Sequence, residues 1–163
     1  MKQIFLLTGL FVFLLCGLVA FAQNTNDTSN DYQTVPGTNV KIIPPKNFLP
    51  NPQIKGFMHA GSSASIQVQE IAKPFKSVIA GINEAGFTSQ GYTLKKQESI
   101  KTIAGKEGIL FHLSFVTKDV EYERLMLLTG DETQTVWINA NYPKIADFLL
   151  FDVLNKSLLT VSF

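Results

Sequence analysis

The sequence predicts an α+β domain built on a central antiparallel β-sheet, with helices packed on it and placed on both faces. Strand-like segments occur in runs and the two helical segments are set apart from them, which is typical of α+β folds rather than of parallel βαβ units. Turns of two to four residues join the later strands, so those strands are expected to pair as antiparallel neighbours. The two helical segments fall at separate places in the chain, which favours opposite faces.

The strand predictions rest on alternating side chains and on turn residues. Residues 64–71 alternate apolar and polar side chains, as a half-buried strand does. In 108–117, the odd-numbered residues from Ile109 to Phe115 are all apolar and share one face. The predicted strands are, in chain order, 40–43, 53–60, 64–71, 93–103, 108–117, 120–128 and 133–141, with a proline-rich loop at 46–52.

Two helices are predicted. The first begins at Pro74, a residue tolerated in a first helical turn, and carries apolar residues at helical spacing from Phe75 to Ile82. The second covers 144–158 and is apolar around much of its girth. A helix of that kind is expected to be largely covered, and we expect this one to pack on the sheet.

The first 22 residues have the pattern of a cleaved secretory signal peptide. Lys2 supplies a positive start, an apolar run follows from Ile4, and Ala20-Phe21-Ala22 places small residues where a signal peptidase reads them. Cleavage before Gln23 would make the protein periplasmic or secreted and leave no integral membrane segment.

Two alternatives to cleavage concern the same segment. An apolar helix of about 20 residues could stay on the chain as a membrane anchor, but the small-x-small end and the polar stretch after it favour cleavage. Cys16 could carry a lipid that anchors the protein, but the residue before it, Leu15, is large where such sites have a small one.

The chain is therefore divided into a signal peptide at 1–22, a flexible polar tether at 23–37 and a single domain at 38–163. The tether is rich in Asn, Thr, Ser and Asp, and it lacks the apolar surface needed to offset its ordering entropy. Cleavage also removes Cys16, the only cysteine, so neither disulfides nor thiolate chemistry are expected in the mature domain.

The charge is balanced, with 14 basic and 13 acidic residues. Loss of Lys2 with the signal peptide leaves equal numbers of both signs. Binding to a phosphate backbone calls for a basic patch or stripe, and the sequence has none, so nucleic acid is not an expected partner.

No catalytic set is predicted from the histidines or the arginine. His112 is expected to be a partly buried histidine with a hydrogen-bond partner, because neighbours on one strand face, such as Ser114, do not by themselves build a nucleophile–base pair. His59 is expected at a strand end or in a loop. Arg124, the single arginine, is a candidate for anion recognition, but an ion pair with a neighbouring carboxylate is the favoured interpretation.

The acidic residues Asp119, Glu121 and Glu123 alternate along one predicted hairpin. A solvated strand face is the favoured interpretation, and paired carboxylates of a glycosidase-like hydrolase are the alternative. The two histidines are far apart in sequence, and neither an HExxH motif nor a calcium loop is present. Neither a metal nor a cofactor is therefore expected.

Three aromatic residues form a candidate interaction surface: Phe48, Phe57 and Trp137. The two phenylalanines lie near loops, and Trp137 faces the side of its strand opposite Val136 and Ile138. Exposed rings there would mark a contact surface for a protein partner. Core filling is the alternative for these rings.

Several stretches of the domain share residues with a known family. They are Val40-Lys-Ile-Ile-Pro-Pro-Lys-Asn-Phe48, Gly61-Ser-Ser-Ala-Ser-Ile-Gln-Val-Gln-Glu-Ile71 leading to Pro74-Phe75, Glu121-Tyr-Glu-Arg124, Gly130-Asp-Glu-Thr-Gln-Thr-Val-Trp-Ile-Asn-Ala-Asn-Tyr-Pro143, and a helix ending Lys156-Ser-Leu-Leu159. In these stretches the chain resembles the small exported bacterial proteins of the PsbP-like group, from about residue 40 to the C-terminus.

The resemblance implies the Mog1/PsbP-like fold, a central antiparallel sheet between helices. It implies no catalytic residue and no cofactor. Proteins of this kind include an extrinsic photosystem subunit and a small GTPase-binding protein, so the function it implies by analogy is association with other proteins.

Three functions remain open at this point. The first is a non-catalytic exported binding or accessory domain that contacts an unidentified protein at the bacterial cell envelope. The second is a small-molecule or lipid-binding domain that uses aromatic and proline residues between Pro44 and Phe57. The third is a small hydrolase that uses the three carboxylates of Asp119, Glu121 and Glu123.

Overall fold

The computed structural model describes residues 31–163. The predicted signal peptide, Cys16 and the first part of the predicted tether lie outside these residues. The strands are β1 Gln33–Thr34, β2 Lys41–Ile42, β3 Leu49–Asn51, β4 Gly56–His59, β5 Ala64–Ile71, β6 Thr93–Lys101, β7 Glu107–Thr117, β8 Val120–Gly130 and β9 Thr135–Pro143. The helices are α1 Phe75–Ile79, α2 Glu84–Ser89 and α3 Asp147–Leu159, with 3₁₀ turns at Pro52–Ile54 and Lys144–Ala146.

The predicted α+β architecture is confirmed. Strands β3 to β9 form one seven-stranded sheet in the spatial order β3-β4-β5-β9-β8-β7-β6, and all its pairs are antiparallel. Strands β6 to β9 form the predicted meander. Lys118 and Asp119, which join β7 to β8, both have positive φ, as the two central residues of a type I′ hairpin turn do.

One face of the sheet, here called the α3 face, is closed by α3 and by the segment before β3. Leu154 and Leu158 of α3 pack on it together with residues from the N-terminal segment. At the start of α3, the hydroxyl of Tyr142 donates a 2.8 Å hydrogen bond to Oδ1 of Asp147. Burial of Tyr142 and this hydrogen bond both raise the pKa of its hydroxyl. The buried sheet and segment residues on this face are Val35, Val40, Ile42, Phe48, Phe57, Ala64, Ile66, Val68, Leu110, Leu125, Leu127, Val136, Ile138, Ala140 and Tyr142.

The opposite face, here called the α1–α2 face, carries a second and smaller core. Phe87 of α2 packs on it against Phe111 and further apolar residues of β7 and β8, which are Leu113, Met126 and Leu128. Half-buried residues of α1 and its following loop pack against the same core. The prediction that helices cover both faces is therefore confirmed.

Several element boundaries differ from the sequence-based expectation. The strand expected at 53–60 is a 3₁₀ turn followed by β4, because Pro52 lies at the start of the turn and Asn51 accepts a hydrogen bond from the backbone of Gln53. The helix expected from Pro74 is split into α1 and α2, and Asn83 caps α2 by accepting from the backbone N–H of Gly86. Part of the expected loop at 46–52 forms β3, which holds Pro50 at the sheet edge.

The domain also begins earlier than expected. Residues 33 and 34, assigned above to the tether, form β1 and pair with β2, and Val35 is fully buried. Strand β2 is in turn bridged to Ser162 near the C-terminus, and the hydroxyl of Ser157 donates to the carbonyl of Ile43. The last residues of the predicted tether are therefore part of the fold.

Candidate interaction surface

The 3₁₀ turn and α3 carry an exposed apolar stripe. Ile145, Phe148, Leu149 and Val153 are 87%, 83%, 63% and 41% exposed, and their spacing of three, four and eight residues from Ile145 puts them on one side of the helix. We call these four residues the α3 stripe. Leu154 and Leu158 are buried against the sheet. The expectation that this helix is largely covered was therefore wrong, because one of its two apolar sides packs on the sheet and the other is exposed.

The upstream edge of the α3 stripe meets the β7–β8 hairpin. Val120, itself 45% exposed, lines an open depression with Ile145, Glu121 and Lys144. The Lys144 ammonium donates to the Glu121 carboxylate, and this contact raises the pKa of the lysine. The rim at this end therefore contains this ion pair and a further acidic residue, Asp119.

The downstream edge of the α3 stripe meets the proline segment before β3. Val153 and Lys156 line a groove of about 300 Å³ together with Pro44 and Pro45. The charged residues that line this groove are Lys46 and Lys156, and the exposed Asp152 lies just before Val153 on α3. The apolar surface thus runs from the hairpin, along α3, to a proline-lined groove.

The three aromatic residues predicted as an interaction surface do not form one. Phe48 and Phe57 are buried in the core of the α3 face, because Phe57 stands opposite Ile66 in the β4–β5 pair. That prediction was wrong for both phenylalanines, which fill the core instead. Trp137 is half-buried on the α1–α2 face, and its Nε1 donates to Oδ1 of Asn139 at 3.1 Å.

Trp137 instead lines a cleft beside α2, together with Arg124. Arg124 donates through Nε to Oδ1 of Asn141 at 2.6 Å and through Nη1 to the hydroxyl oxygen of Tyr92 at 2.8 Å. None of the ion pairs formed within 31–163 includes Arg124. The expected ion pair with a neighbouring carboxylate was therefore wrong.

The nearest acidic residue in sequence, Glu123, points to the other face and is 1% exposed. Its two oxygens accept from Lys95 Nζ at 2.7 Å and contact His112 Nε2 at 2.8 Å. Lys95 lies at an irregularity in the β6–β7 register between Leu94 and Lys96. The prediction that His112 is a partly buried histidine with a hydrogen-bond partner is confirmed.

The three carboxylates proposed for a hydrolase are not gathered at one site: Asp119 and Glu121 line the open depression beside Ile145, and Glu123 does not. Asp119 lies in the hairpin turn and is exposed, Glu121 is held by Lys144, and Glu123 is buried between Lys95 and His112. Glycoside hydrolysis needs two carboxyl groups that flank the sugar, whereas Glu123 is buried and Glu121 is already paired with Lys144. His59 ends β4, as expected, and its Nδ1 lies 2.7 Å from the hydroxyl of Ser62.

No cluster of three or more His, Cys, Asp or Glu side chains suited to a metal occurs in 31–163. Within that range, no helix is both long and apolar enough to cross a membrane.

Comparison by sequence identifies no relative. No protein-family model matches the chain, and no curated protein matches it.

Solved structures do match the fold. LpqN from Mycobacterium tuberculosis, described as involved in cell envelope biogenesis, matches with a TM-score of 0.61 at 10% identity, over 76% of this chain and 82% of that one. The protein of unknown function PA94 from Pseudomonas aeruginosa matches with a TM-score of 0.52 at 13% identity, over 82% and 85%. Cyanobacterial PsbP (CyanoP) from Synechocystis sp. PCC 6803 matches with a TM-score of 0.52 at 12% identity, over 82% and 93%. The chain has a PsbP-like fold, as the resemblance in sequence implied.

Proposed function

We propose that this chain is a non-catalytic accessory domain that is exported to the bacterial cell envelope and binds another protein there through the α3 stripe. The observation that carries the proposal is the exposure of Ile145, Phe148 and Leu149 in one row on a helix whose other side is already packed. Large contiguous apolar surface on a soluble domain is a mark of an interaction site.

The charges around the α3 stripe favour a protein over a lipid bilayer. Helices that lie in a membrane surface carry a polar face rich in Lys and Arg, which attracts anionic lipids. Here Asp119 and Glu121 lie beside Lys144, and Asp152 stands close in sequence to Lys156. Acidic residues therefore accompany the lysines along the surface, including Lys46 at the proline-lined groove. A partner with an apolar groove and a rim of both charge signs fits this surface better than a uniformly negative membrane does.

The length of the α3 stripe favours a different protein over a second copy of this chain. From Ile145 to Val153 the helix rises about 12 Å. Two such stripes packed on each other would bury much less than the roughly 800 Å² per partner of a standard interface. A different protein can add contacts to the depression at Val120 and to the groove at Pro44 and Pro45.

The contacts of the titratable side chains support a binding role rather than a catalytic one. Glu123 and His112 contact each other, and Lys95 completes the contact, so these groups stabilise the fold. Neither histidine is paired with a nucleophile and an orienting carboxylate in one cleft, as covalent hydrolases require.

Site-specific photocrosslinking in the native organism tests the proposed surface. p-Benzoylphenylalanine is placed at position 145 or 148, and the control carries it at position 88, an exposed residue of α2. We expect the same protein to be crosslinked from positions 145 and 148 and not from 88. A crosslinked dimer of this chain, adducts with phospholipid, or no adduct above the level at position 88 would each contradict the proposal.

The proposed export has its own test. Intact-mass measurement of the protein purified from the envelope fraction is expected to give the mass of a chain that begins at Gln23. A mass that includes the apolar segment would show a retained anchor, and a diacylglyceryl group on Cys16 would show a lipoprotein. Recovery of the protein solely from the cytoplasm would contradict export itself.

A further inference from the structure

The cleft beside α2 contains a fixed cation among apolar walls. It measures about 80 Å³. Its apolar walls include Phe87, Leu113, Met126 and Trp137, and Arg124 is the one charged residue among those that line it. We call it the Arg124 cleft. It lies on the opposite face of the sheet from the α3 stripe, so it is independent of the proposed protein-binding surface.

The guanidinium of Arg124 is held in one orientation. Asn141 and Tyr92 accept from its Nε and Nη1, and its carbon lies 4.6 Å from the ring centre of Tyr92 and 5.2 Å from that of Phe115. An arginine has five N–H donors, so three are left for another acceptor. Because both the hydrogen bonds and the rings fix the group in advance, a ligand would lose little side-chain entropy on binding it.

The charge of Arg124 lacks a counter-charge among the described residues. None of the ion pairs in 31–163 includes Arg124. The adjacent Glu123 contacts Lys95 and His112 on the other face of the sheet. A partly buried cation surrounded by apolar walls is stabilised by an anion that enters and pairs with it.

We infer that the Arg124 cleft binds a carboxylate that carries a short apolar substituent. The planar carboxylate suits the fork of a guanidinium, and a single arginine matches a single negative charge better than the double charge of a phosphate. The substituent would contact Ile82, Phe87 and Trp137, with Leu113 and Met126 beneath them. The small volume of the cleft excludes a long fatty acyl chain. Such a carboxylate can belong to a small free acid or to the C-terminus of a peptide with an apolar last residue.

The fluorescence of Trp137 provides a direct readout, because Trp137 is the only tryptophan in the chain and lines the cleft. The full chain is titrated with isovalerate, with acetyl-Gly-Leu bearing a free carboxylate, and with the neutral analogues isovaleramide and acetyl-Gly-Leu-amide. We expect a saturable signal change with at least one carboxylate and none with its amide. Tighter binding of isovalerate assigns the site to free acids, and tighter binding of the dipeptide assigns it to chain ends.

Variants distinguish recognition of the carboxylate by Arg124 from effects of net charge or of misfolding. Arg124→Met is expected to weaken binding at least tenfold, and Arg124→Lys, which keeps the charge but loses the fork, to weaken it less. Tyr92→Phe removes the hydroxyl that positions Arg124 and should weaken binding a few-fold. The control Lys101→Gln removes one positive charge at an exposed site on β6 and should leave binding unchanged. Unfolding temperatures measured for every variant show that each is folded.

Three results would overturn the inference. The first is the absence of saturation below about 10 mM for both carboxylates, which corresponds to an interaction too weak to be a site. The second is binding of the neutral amides as strong as that of the acids. The third is unchanged affinity in both folded Arg124 variants.

Discussion

The two helical layers of this protein leave different groups without a partner. The α3 layer packs on its face of the sheet through the larger core, and the apolar stripe on its outer side is left without a partner among the described residues. The α1–α2 layer is made of two short helices, covers its face in part, and leaves a cleft with an unpaired cation. The difference indicates two kinds of recognition, one by apolar contact and one by charge.

The same contrast appears in two adjacent residues of β8. Glu123 and Arg124 point to opposite faces because side chains alternate along a strand. Glu123 is buried and has two partners of complementary charge or polarity, so it belongs to the folded structure. Arg124 has polar and aromatic partners and, within 31–163, no carboxylate partner, so its charge remains available to a ligand.

The largest effect is expected in the core of the α3 face. Phe57→Ala should lower the free energy of unfolding by about 3–5 kcal/mol, since it leaves a cavity beside Ile66. The neighbouring Met58→Ala, on the other face and exposed, should change it by about 0.5 kcal/mol. Urea unfolding of both variants measures the difference. Equal effects would mean that Phe57 is not a core residue.

A smaller loss of stability is expected when the partner of Glu123 or the side chain of Arg124 is removed. His112→Leu removes one partner of the buried Glu123 carboxylate and should cost about 1–3 kcal/mol of unfolding free energy. Arg124→Met leaves no acidic group unpaired and should cost no more than about 1 kcal/mol. Chemical denaturation ranks the two variants. A larger loss of unfolding free energy for Arg124→Met than for His112→Leu would show that Arg124 contributes more to the stability of the fold than His112 does.

The turn between β8 and β9 should give a pH-dependent effect. Hydrogen bonds from the backbone of Thr133 and from Lys106 hold the pKa of Asp131 well below its usual 3.8. A carboxyl group whose pKa is lower in the folded state stabilises the fold above its unfolded pKa, and this stabilisation is lost as the pH falls. Asp131→Asn should therefore lower the unfolding temperature at pH 6, and the difference from the parent should shrink below about pH 4. Thermal scans from pH 2 to 7 measure this difference in unfolding temperature. A difference that does not depend on pH would contradict the stabilising role of the Asp131 carboxylate.

The smallest effect is expected on the α3 stripe. Phe148→Ser should change the free energy of unfolding by no more than about 0.5 kcal/mol, because the ring is already in water. Leu154→Ala, on the inner side of the same helix, should cost about 2–5 kcal/mol. Denaturation of the two variants compares the sides of α3. A large loss with Phe148→Ser would show that the ring supports the fold and is not a free contact surface.

Much of the sheet could be predicted because alternation and turn residues are local signals. The strand at 64–71 has the observed bounds, and the meander from β6 to β9 was placed to within a few residues. Local signals were weaker where a proline or a capping asparagine determines where a turn or helix begins. Pro52 and Asn83 therefore account for the misplaced strand at 53–60 and the undivided first helix.

The candidate surfaces could not be predicted in the same way, because they depend on which apolar side the sheet covers. The sequence of α3 is apolar on two sides, and spacing alone does not tell which one faces water. For Phe48 and Phe57, proximity to loops was a poor guide, since the N-terminal segment folds over the α3 face. The availability of Arg124 became apparent once Glu123 was found on the opposite face with its own partners.

The protein identified by crosslinking distinguishes the α3 stripe from the Arg124 cleft. The affinity of that protein for the folded Phe148→Ser and Arg124→Met variants is measured by calorimetry with the full chain. We expect at least a tenfold loss of affinity for Phe148→Ser and less than a twofold change for Arg124→Met. Unchanged affinity for Phe148→Ser would contradict the claim that the α3 stripe is the protein-binding surface.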